Sequence, residues 1–212
     1  MKVLLVNGSP HKEGCTHTAL GLVAKALQED GIETQEFWIE HKPIAGCIAC
    51  LKCRETGRCV FRGDSVEKFL EIAPDFDGYV FGSPVHYAGV TGNMKAFMDR
   101  IFYAGRCTVP GCFVLKPAAA VVSARRAGTT ATLEQIDKYF EIEQMPIVSS
   151  RYWNAVHGYT PEDVMRDEEG VQVMKVLGHN MAWMLKAFKA ADDAGIPRPE
   201  PYKDRKQTNF IR

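Results

Sequence analysis

The chain has 212 residues, of which 46% are hydrophobic and 25% charged, a composition typical of a globular protein that buries a sizeable core. Its 26 basic and 26 acidic residues cancel, so net charge gives no reason to expect a nucleic acid or an anionic membrane as a partner. No apolar run approaches the length of a membrane span, and the first one is too short for a secretory signal. We therefore expect a cytoplasmic protein that binds neither nucleic acid nor membrane.

Apolar runs and amphipathic stretches alternate five times along the chain. Residues 3–6 form a continuous apolar run, which is typical of a parallel strand buried on both faces, and a helix is expected from residue 16 to Gly31. Further strands are predicted at residues 32–40, 79–81 and 118–122 and from residue 146, and further helices at residues 64–74, 94–101, 129–139 and 168–194. This alternation predicts a doubly wound α/β fold with a five-stranded parallel sheet in the order 2-1-3-4-5.

Two of the predicted loops are expected to form a ligand site. In a doubly wound sheet the ligand lies beyond the carboxyl ends of the strands, where the loops at residues 8–18 and 82–89 should meet. A long connection at residues 41–63 follows the second strand, and a loop of such length inside a compact domain is usually functional. We expect one domain at residues 1–195 and an extended arm at residues 196–212.

The loop at residues 8–18 joins a buried strand to a helix and is rich in small and hydroxyl side chains. Glycine lets the backbone approach a ligand closely, and the start of a helix offers free N–H groups with the positive end of the helix dipole. These features suit a phosphate monoester. The loop matches neither a Walker A nor a GxGxxG pattern, which disfavours ATP and a dinucleotide here. An ordinary strand-to-helix turn rich in capping residues is the alternative interpretation.

Four of the seven cysteines lie in the long connection, at Cys47, Cys50, Cys53 and Cys59. An odd number of cysteines without a secretion signal argues against a disulfide framework. The spacing C-x2-C-x2-C-x5-C allows four thiolates to converge on one compact centre, as in the cysteine runs that hold [4Fe–4S] clusters. Zinc is an alternative, although structural zinc sites more often use two separated cysteine pairs. A further alternative is that these four thiols bind no metal at all.

Three segments, taken together and in this order, resemble one known family. GSPHKEGCTHTAL is similar to the first loop of the NAD(P)H-dependent FMN reductase and iron–sulfur flavoprotein group, which wraps the FMN phosphate. SPVHYAGVTGNMKAFMDR is similar to the second flavin loop of that group with the helix after it, and SARRAGTTATL to the third loop. The resemblance covers essentially the whole chain, including its closing residues 208–212. It implies a flavodoxin-like fold that binds FMN, and the four-cysteine spacing resembles that of relatives that carry [4Fe–4S] beside FMN.

The resemblance also implies roles for individual residues around the flavin. Those around the phosphate are Ser9, His11, Thr16, His17 and Thr18. Those along the isoalloxazine ring are Pro84, Val85, His86 and Tyr87, with Ser123, Arg126 and Gly128 bordering its far side.

Two positions depart from the family pattern. His11 stands where the family usually has arginine, and Cys15 stands where it usually has asparagine. Because a histidine side chain can be neutral at pH 7, we expect the affinity for the phosphate to be weaker or pH-dependent.

The resemblance implies an FMN-dependent oxidoreductase that takes electrons from NAD(P)H and passes them to a quinone, a flavin or a redox protein, directly or through the cluster. Arg125 and Arg126 are candidates for the phosphate of the nicotinamide cofactor, although a solvated basic loop explains them equally well. Three other interpretations stay open: an electron carrier between redox proteins, a non-catalytic module for a phosphate-bearing ligand, and a reductase of quinones, azo or nitro compounds.

Proteins of this group generally associate, which is an analogy at the level of the fold. We therefore expect a homodimer or a homotetramer. The aromatic residues that are candidates for a subunit contact over the flavin are Tyr87, Phe102, Tyr103 and Trp153.

Overall fold

The computed structural model describes residues 1–108, 112–200 and 208. Within these residues the strands are β1 (Lys2–Asn7), β2 (Glu33–Trp38), β3 (Gly78–Pro84), β4 (Ala118–Ala124) and β5 (Ala155–His157). The helices are α1 (Cys15–Glu29), α2 (Lys52–Thr56), α3 (Ser65–Ile72), α4 (Gly92–Thr108), α5 (Thr129–Ile142), α6 (Pro161–Arg166) and α7 (Glu168–Asp193). Strands and helices alternate as the sequence predicts, and the short helices α2 and α6 are additional to that prediction.

All five strands are parallel and lie in the order β2-β1-β3-β4-β5. Leu4 of β1 faces Gln35 of β2 on one side and Tyr79 of β3 on the other. Phe81 of β3 faces Ala120 of β4. The direction of winding reverses between β1 and β3, and a crevice opens there at the carboxyl ends of the strands. The predicted flavodoxin-like sheet is confirmed.

Helices cover both faces of the sheet, which is why the central strands are apolar throughout. Successive residues of a strand point to opposite faces. Leu4 and Val6 of β1 therefore join one core with α3, α4 and α5, whereas Val3 and Leu5 join a second core with α1 and α7. The polar residues that follow the strands are left to meet at the carboxyl edge.

Phe102, expected at a subunit contact, is instead buried in the core beneath α4. Its ring stacks on that of Phe113, with the ring centroids 4.5 Å apart. The expectation was wrong because helical periodicity places Phe102 on the same face of α4 as the buried Met98, whereas Tyr103, one position further on, is exposed.

The fifth strand lies later in the chain than the sequence predicts. The stretch from residue 146 makes an isolated bridge, in which Ile147 faces Ala118 of β4. Regular pairing begins at Ala155, which faces Val122, after residues 149–154 have left the sheet. An edge strand pairs on one side only, so its apolar residues do not determine where the hydrogen-bonded ladder begins.

The predicted arm at residues 196–212 falls largely outside the described residues. Helix α7 ends at Asp193, and residues 196–200 are exposed and have no regular secondary structure. Residues 201–207 and 209–212, which include most of the closing segment that resembles the family, lie outside what the structure describes. In the described parts of the chain, no helix is both long enough and apolar enough to cross a membrane.

Candidate functional site

A cleft of about 570 Å³ opens at the carboxyl ends of the parallel strands. Its walls come from the loops after β1, β3, β4 and β5, where a doubly wound sheet is expected to bind its ligand. The predicted flavin residues that line the cleft are Ser9, His11, Thr16, Pro84, Val85, His86 and Ser123. Other residues in its wall include Cys15, Arg125, Gly158, Tyr159 and Thr160.

The first loop of the cleft is held in shape by its own hydrogen bonds. The side-chain oxygen of the buried Asn7 accepts from the Ser9 N–H at 3.0 Å, and its Nδ2 donates to the Lys12 carbonyl at 2.9 Å. Ser9 Oγ in turn accepts from the His11 N–H at 3.1 Å. From β2, Trp38 Nε1 donates to the Ser9 carbonyl at 2.8 Å. The loop is therefore ordered before any ligand binds.

The start of α1 faces the cleft with features that favour an anion. Its N-cap residue, Gly14, makes no side-chain hydrogen bond, and the first turn contains no acidic residue. The first N–H groups of a helix have no intrahelical partner, and the helix dipole places partial positive charge there. This end of α1 can therefore bind a phosphate group through its backbone.

Thr16, in the first turn of α1, is linked to the opposite wall of the cleft. Its Oγ1 lies 2.8 Å from Oγ of Ser123 on β4, and both side chains are buried. The two hydroxyls share one hydrogen bond, so each keeps capacity to bond a ligand. This contact joins the first and third predicted flavin loops, which lie 107 residues apart in the chain.

The backbones at the ends of β1 and β3 approach each other closely beside the cleft. The Gly8 N–H donates to the Gly82 carbonyl at 2.8 Å, and the Thr91 hydroxyl donates to the Gly8 carbonyl at 3.0 Å. A Cβ atom on Gly82 would lie 2.9 Å from side-chain carbons of Leu20 and Thr16, so glycine is required there.

The loop after β3 forms a tight turn over the cleft. His86 and Gly89 pair as an antiparallel bridge, and between them Tyr87 and Ala88 have φ of 50° and 58°. This left-handed backbone is unfavourable for residues other than glycine and tends to persist at functional sites. Gly128, with φ of 94°, packs against the same turn, because a Cβ there would lie 2.8 Å from Ala88 Cα.

The predicted flavin residues that do not line the cleft are His17, Thr18, Tyr87, Arg126 and Gly128. His17 Nδ1 lies 2.7 Å from a carboxylate oxygen of Glu36 on β2, and the Thr18 hydroxyl donates to the Gly14 carbonyl at 3.3 Å. Both side chains thus support the first loop from outside the cleft. The role of these five residues at the flavin stays a prediction.

Cys15 lines the cleft next to the helix start. Its Sγ donates to the Gly158 carbonyl at 3.8 Å. Burial raises the pKa of the Cys15 thiol, and the carboxylates of Asp163 and Glu162 raise it further. Cys15 is therefore a neutral thiol near pH 7, and it does not repel an anion bound at the start of α1.

Residues 158–161, to which the sequence analysis assigns no role, close one end of the cleft. Thr160 begins α6 with a capping box: its Oγ1 accepts from the Asp163 N–H at 3.3 Å, and the Asp163 carboxylate accepts from the Thr160 N–H at 3.2 Å. The sequence Thr-Pro-Glu-Asp signals such a helix start. Its approach to the cleft follows from the position of β5, which begins at Ala155, later in the chain than the predicted strand from residue 146.

The four cysteines of the long connection share one small cavity of about 20 Å³. Cys53 is buried, Cys59 is half-buried, and Cys47 and Cys50 are exposed. Burial raises the pKa of the Cys53 thiol, and the neighbouring thiols of Cys107 and Cys59 raise it further. The four cysteines thus line one cavity, and a cation bound there would favour the thiolate form of their side chains.

The donor set of this cavity fits a [4Fe–4S] cluster in kind and number, because such a cluster takes four thiolates. In the described residues, no group of three or more histidine, cysteine, aspartate or glutamate side chains is gathered closely enough to hold a metal ion. The exposed thiols of Cys47 and Cys50 would have to turn toward Cys53. Ala49 and Leu51, between the cysteines, have φ of 52° and 60°, an unfavourable backbone of the kind found where a ligand shapes a loop.

Known proteins are similar to this chain in sequence and in fold. The family model for NADPH-dependent FMN reductases matches residues 1–160. An iron–sulfur flavoprotein of Methanocaldococcus jannaschii is 33% identical over 199 residues, which cover 89% of this chain and 100% of that protein. An iron–sulfur flavoprotein of Archaeoglobus fulgidus is 29% identical over 199 residues, which cover 87% of this chain and 97% of that protein.

Among solved structures, the NAD(P)H:(acceptor) oxidoreductase FerB from Paracoccus denitrificans is similar, with a TM-score of 0.65 and 13% identity. The match covers 88% of this chain and 97% of that chain. At such low identity the likeness shows the fold alone. The family model, by contrast, matches 160 of the 212 residues and includes all three predicted flavin loops. This chain belongs to the NADPH-dependent FMN reductase family.

Proposed function

We propose that this protein is an FMN-dependent oxidoreductase that takes electrons from NAD(P)H and passes them to a second acceptor. The observation that carries the proposal is the start of α1, uncapped and without acidic residues, at the edge of a 570 Å³ cleft. When bound, FMN supplies the redox chemistry, and the protein supplies binding, orientation and electrostatics.

The phosphate of FMN would be held by the first loop. Ser9 Oγ already accepts the His11 N–H, so its own hydrogen is free to donate to a phosphate oxygen. The hydroxyl of Thr16 and the first N–H groups of α1 add further donors. His11 is exposed at the rim, where it adds positive charge when it is protonated.

The ring of FMN would lie between the second and third loops. Pro84, Val85 and His86 form one wall, and Ser123 and Arg125 form another. The apolar side chains exclude water from the ring, and the Ser123 hydroxyl offers a hydrogen bond at its edge. Of the two candidates for the phosphate of NAD(P)H, Arg125 and Arg126, only Arg125 lines the cleft, and it is the better candidate.

We further propose that Cys47, Cys50, Cys53 and Cys59 hold a [4Fe–4S] cluster, which would supply one-electron transfer. Their spacing, their shared cavity and the names of the relatives support this assignment. Iron and sulfide assays on anaerobically purified protein test it, with Cys53→Ser expected to lose iron and Cys15→Ser expected to keep it. Zinc in place of iron, or no metal at all, would contradict the assignment.

An absorption spectrum of the anaerobically purified protein tests the flavin proposal, and acid release then identifies the cofactor. We expect a two-banded flavin spectrum and FMN in the supernatant. Rapid bleaching by NADH or NADPH would support the enzymatic function. A colourless protein that also fails to bind added FMN would overturn the proposal and favour a module for another phosphate-bearing ligand.

A second candidate function is electron transfer between redox proteins, and the solvent exposure of Cys47 and Cys50 favours it. A redox group held near the surface can exchange electrons directly with a protein partner. The two functions differ in their reductant. Slow reduction by both nicotinamides together with rapid reduction by a ferredoxin would support the carrier.

We also propose that the chain forms a homodimer or a homotetramer. Tyr87 and Trp153, both candidates for the subunit contact, have relative exposures of 107% and 59%. Large exposed aromatic side chains are typical of interfaces. Light scattering on the purified protein tests the proposal, and a monomer over a wide range of concentrations would contradict it.

A further inference from the structure

Arg100 lies in the middle of α4, and only 1% of its side chain is exposed. A guanidinium removed from water needs several acceptors in compensation. Its Nη1 donates to the Asp64 carboxylate and, at 3.3 Å, to the Ala45 carbonyl, while its Nη2 donates to the Phe61 carbonyl at 3.2 Å. Every one of these acceptors lies in or beside the cysteine connection.

The Nε donor of Arg100 reaches a cysteine. Its Nε lies 3.4 Å from Sγ of Cys59 and donates to it, and Arg100 lines the cavity that the four cysteines share. The guanidinium also lies over the ring of Phe61, 5.1 Å from the ring centroid. A hydrogen bond with a charged donor is stronger than a neutral one, so Arg100 keeps positive charge beside this sulfur.

The acceptors of Arg100 bracket the four cysteines. Ala45 precedes Cys47 and Phe61 follows Cys59, so one side chain ties together the two ends of the segment. Within it, Ala49 and Leu51 have positive φ, a backbone conformation that is unfavourable for residues other than glycine. A segment with such a backbone would relax if its ends were released. The relative positions of the thiols therefore depend on Arg100.

Helix α4 also connects Arg100 with the flavin cleft. At its start, the Thr91 hydroxyl donates to the Gly8 carbonyl in the first flavin loop at 3.0 Å. Two residues further on, Asn93 Nδ2 donates to the Lys42 carbonyl at 3.0 Å, near the beginning of the cysteine connection. A single helix thus contacts both candidate sites.

We propose that Arg100 is a positioning residue for the four cysteines, and that its bond to Cys59 raises the reduction potential of the group they hold. The second half of this proposal rests on the [4Fe–4S] cluster proposed above. Reduction adds negative charge to a thiolate-bound cluster. A positive charge and an N–H donor at one sulfur stabilise the reduced state more than the oxidised state.

Redox titration of the cluster in the anaerobically purified full chain tests the effect on potential. Arg100→Gln removes the charge, Arg100→Lys keeps the charge but loses the fork of donors, and Lys95→Gln is the matched control. Lys95 lies on the same helix but pairs with Asp99 and Tyr139. In Arg100→Gln we expect the reduction equilibrium constant of the cluster to fall at least tenfold, which is 59 mV for one electron.

Arg100→Lys should show a smaller fall, and Lys95→Gln none, while the flavin content stays unchanged in all three variants. Equal cluster potentials in the wild type and in Arg100→Gln would overturn the tuning role.

Hydrogen exchange on chelator-treated protein tests the positioning role without depending on the cluster. The amides of residues 45–61 should exchange at least tenfold faster in Arg100→Gln than in Lys95→Gln, and those of residues 7–16 should not change. Arg100→Lys gives the same comparison if Arg100→Gln does not fold. Equal exchange in residues 45–61 would overturn the positioning role. An iron-free wild type with faster exchange in the variant would support that role while contradicting the proposed cluster.

Discussion

The first flavin loop and the cysteine connection both follow strands at the carboxyl edge of the sheet, but they are stabilised in opposite ways. In the flavin loop, Asn7 bonds atoms two and five residues away. In the cysteine connection, Cys59 and the segment ends depend on Arg100, which lies 41 residues beyond Cys59. The flavin loop is thus preorganised by hydrogen bonds within the loop together with bonds to the neighbouring strand β2, whereas the cysteine connection takes its shape from a distant helix.

Backbone conformation shows the same contrast. Residues 7–18, all of which the structure describes, have no positive φ, whereas Ala49 and Leu51 between the cysteines both do. A preorganised loop binds its ligand with little rearrangement, and this lowers the entropic cost of binding. A strained segment with exposed thiols is expected to gain order when its ligand binds. The comparison predicts that removing a side chain from the flavin loop lowers the free energy of unfolding, whereas relieving the backbone of the cysteine connection raises it.

The largest expected effect comes from filling the anion site of α1. Gly14→Asp places a carboxylate at the start of the helix, where a phosphate group would bind. Two like charges about 4 Å apart repel by about 4 kcal/mol near a protein surface, so FMN affinity should fall about a thousandfold. Isothermal titration of the flavin-free protein with FMN measures this.

Gly14→Asn is the matched control, because it has the same shape without the charge and should lose far less affinity. Both variants should keep the stability of the flavin-free protein, since Asp and Asn are good N-cap residues. Equal affinities in the two variants would mean that the phosphate does not bind at the start of α1.

Removal of the Asn7 side chain should have the next largest effect. Asn7→Ala leaves the Ser9 N–H and the Lys12 carbonyl without their partner, so the free energy of unfolding should fall by about 2–3 kcal/mol. Urea denaturation measures the loss. Gln28→Ala, which removes the exposed hydrogen bond to Thr34, should change stability by less than about 0.5 kcal/mol. A similarly small loss in Asn7→Ala would show that the loop is not held by local bonds.

The hydrogen bond between Thr16 and Ser123 should contribute about 1 kcal/mol to stability. Thr16→Val leaves the buried hydroxyl of Ser123 without its partner, and Ser123→Ala does the same to the hydroxyl of Thr16. Because the two side chains are partners, the double variant should lose less than the sum of the single losses, and denaturation of all four proteins gives the coupling energy. Strict additivity would mean that the two walls of the cleft are independent.

The smallest effect is expected in the cysteine connection, and its sign is opposite. Leu51→Gly relieves a left-handed backbone and should raise the free energy of unfolding of the metal-free protein by up to about 1 kcal/mol. Ile48→Gly is the matched control, because Ile48 is also exposed but lacks a positive φ, and it should lower stability. A loss of stability in Leu51→Gly would show that this segment is not strained.

Much of the cleft could be predicted because the sequence patterns that indicate it involve residues close together in the chain. Ser9, Thr16, Pro84 and His86 follow strands that their own apolar pattern reveals, and the sheet order brings the ends of those strands together. The family resemblance implies a role for His17 at the phosphate, but its partner Glu36 comes from β2, which no local pattern indicates.

The sequence by itself determined the alternation of strands and helices, the doubly wound sheet, the loop rich in small and hydroxyl side chains after β1 and the four-cysteine spacing, because each depends on residues near one another in the chain. Only the tertiary structure decided that β5 begins at Ala155, that Phe102 is buried, that Thr16 meets Ser123 and that Arg100 reaches Cys59. These features depend on pairing and packing between distant segments. The physical reason is that periodicity reports which face of an element is buried, but not which residue of another element covers it.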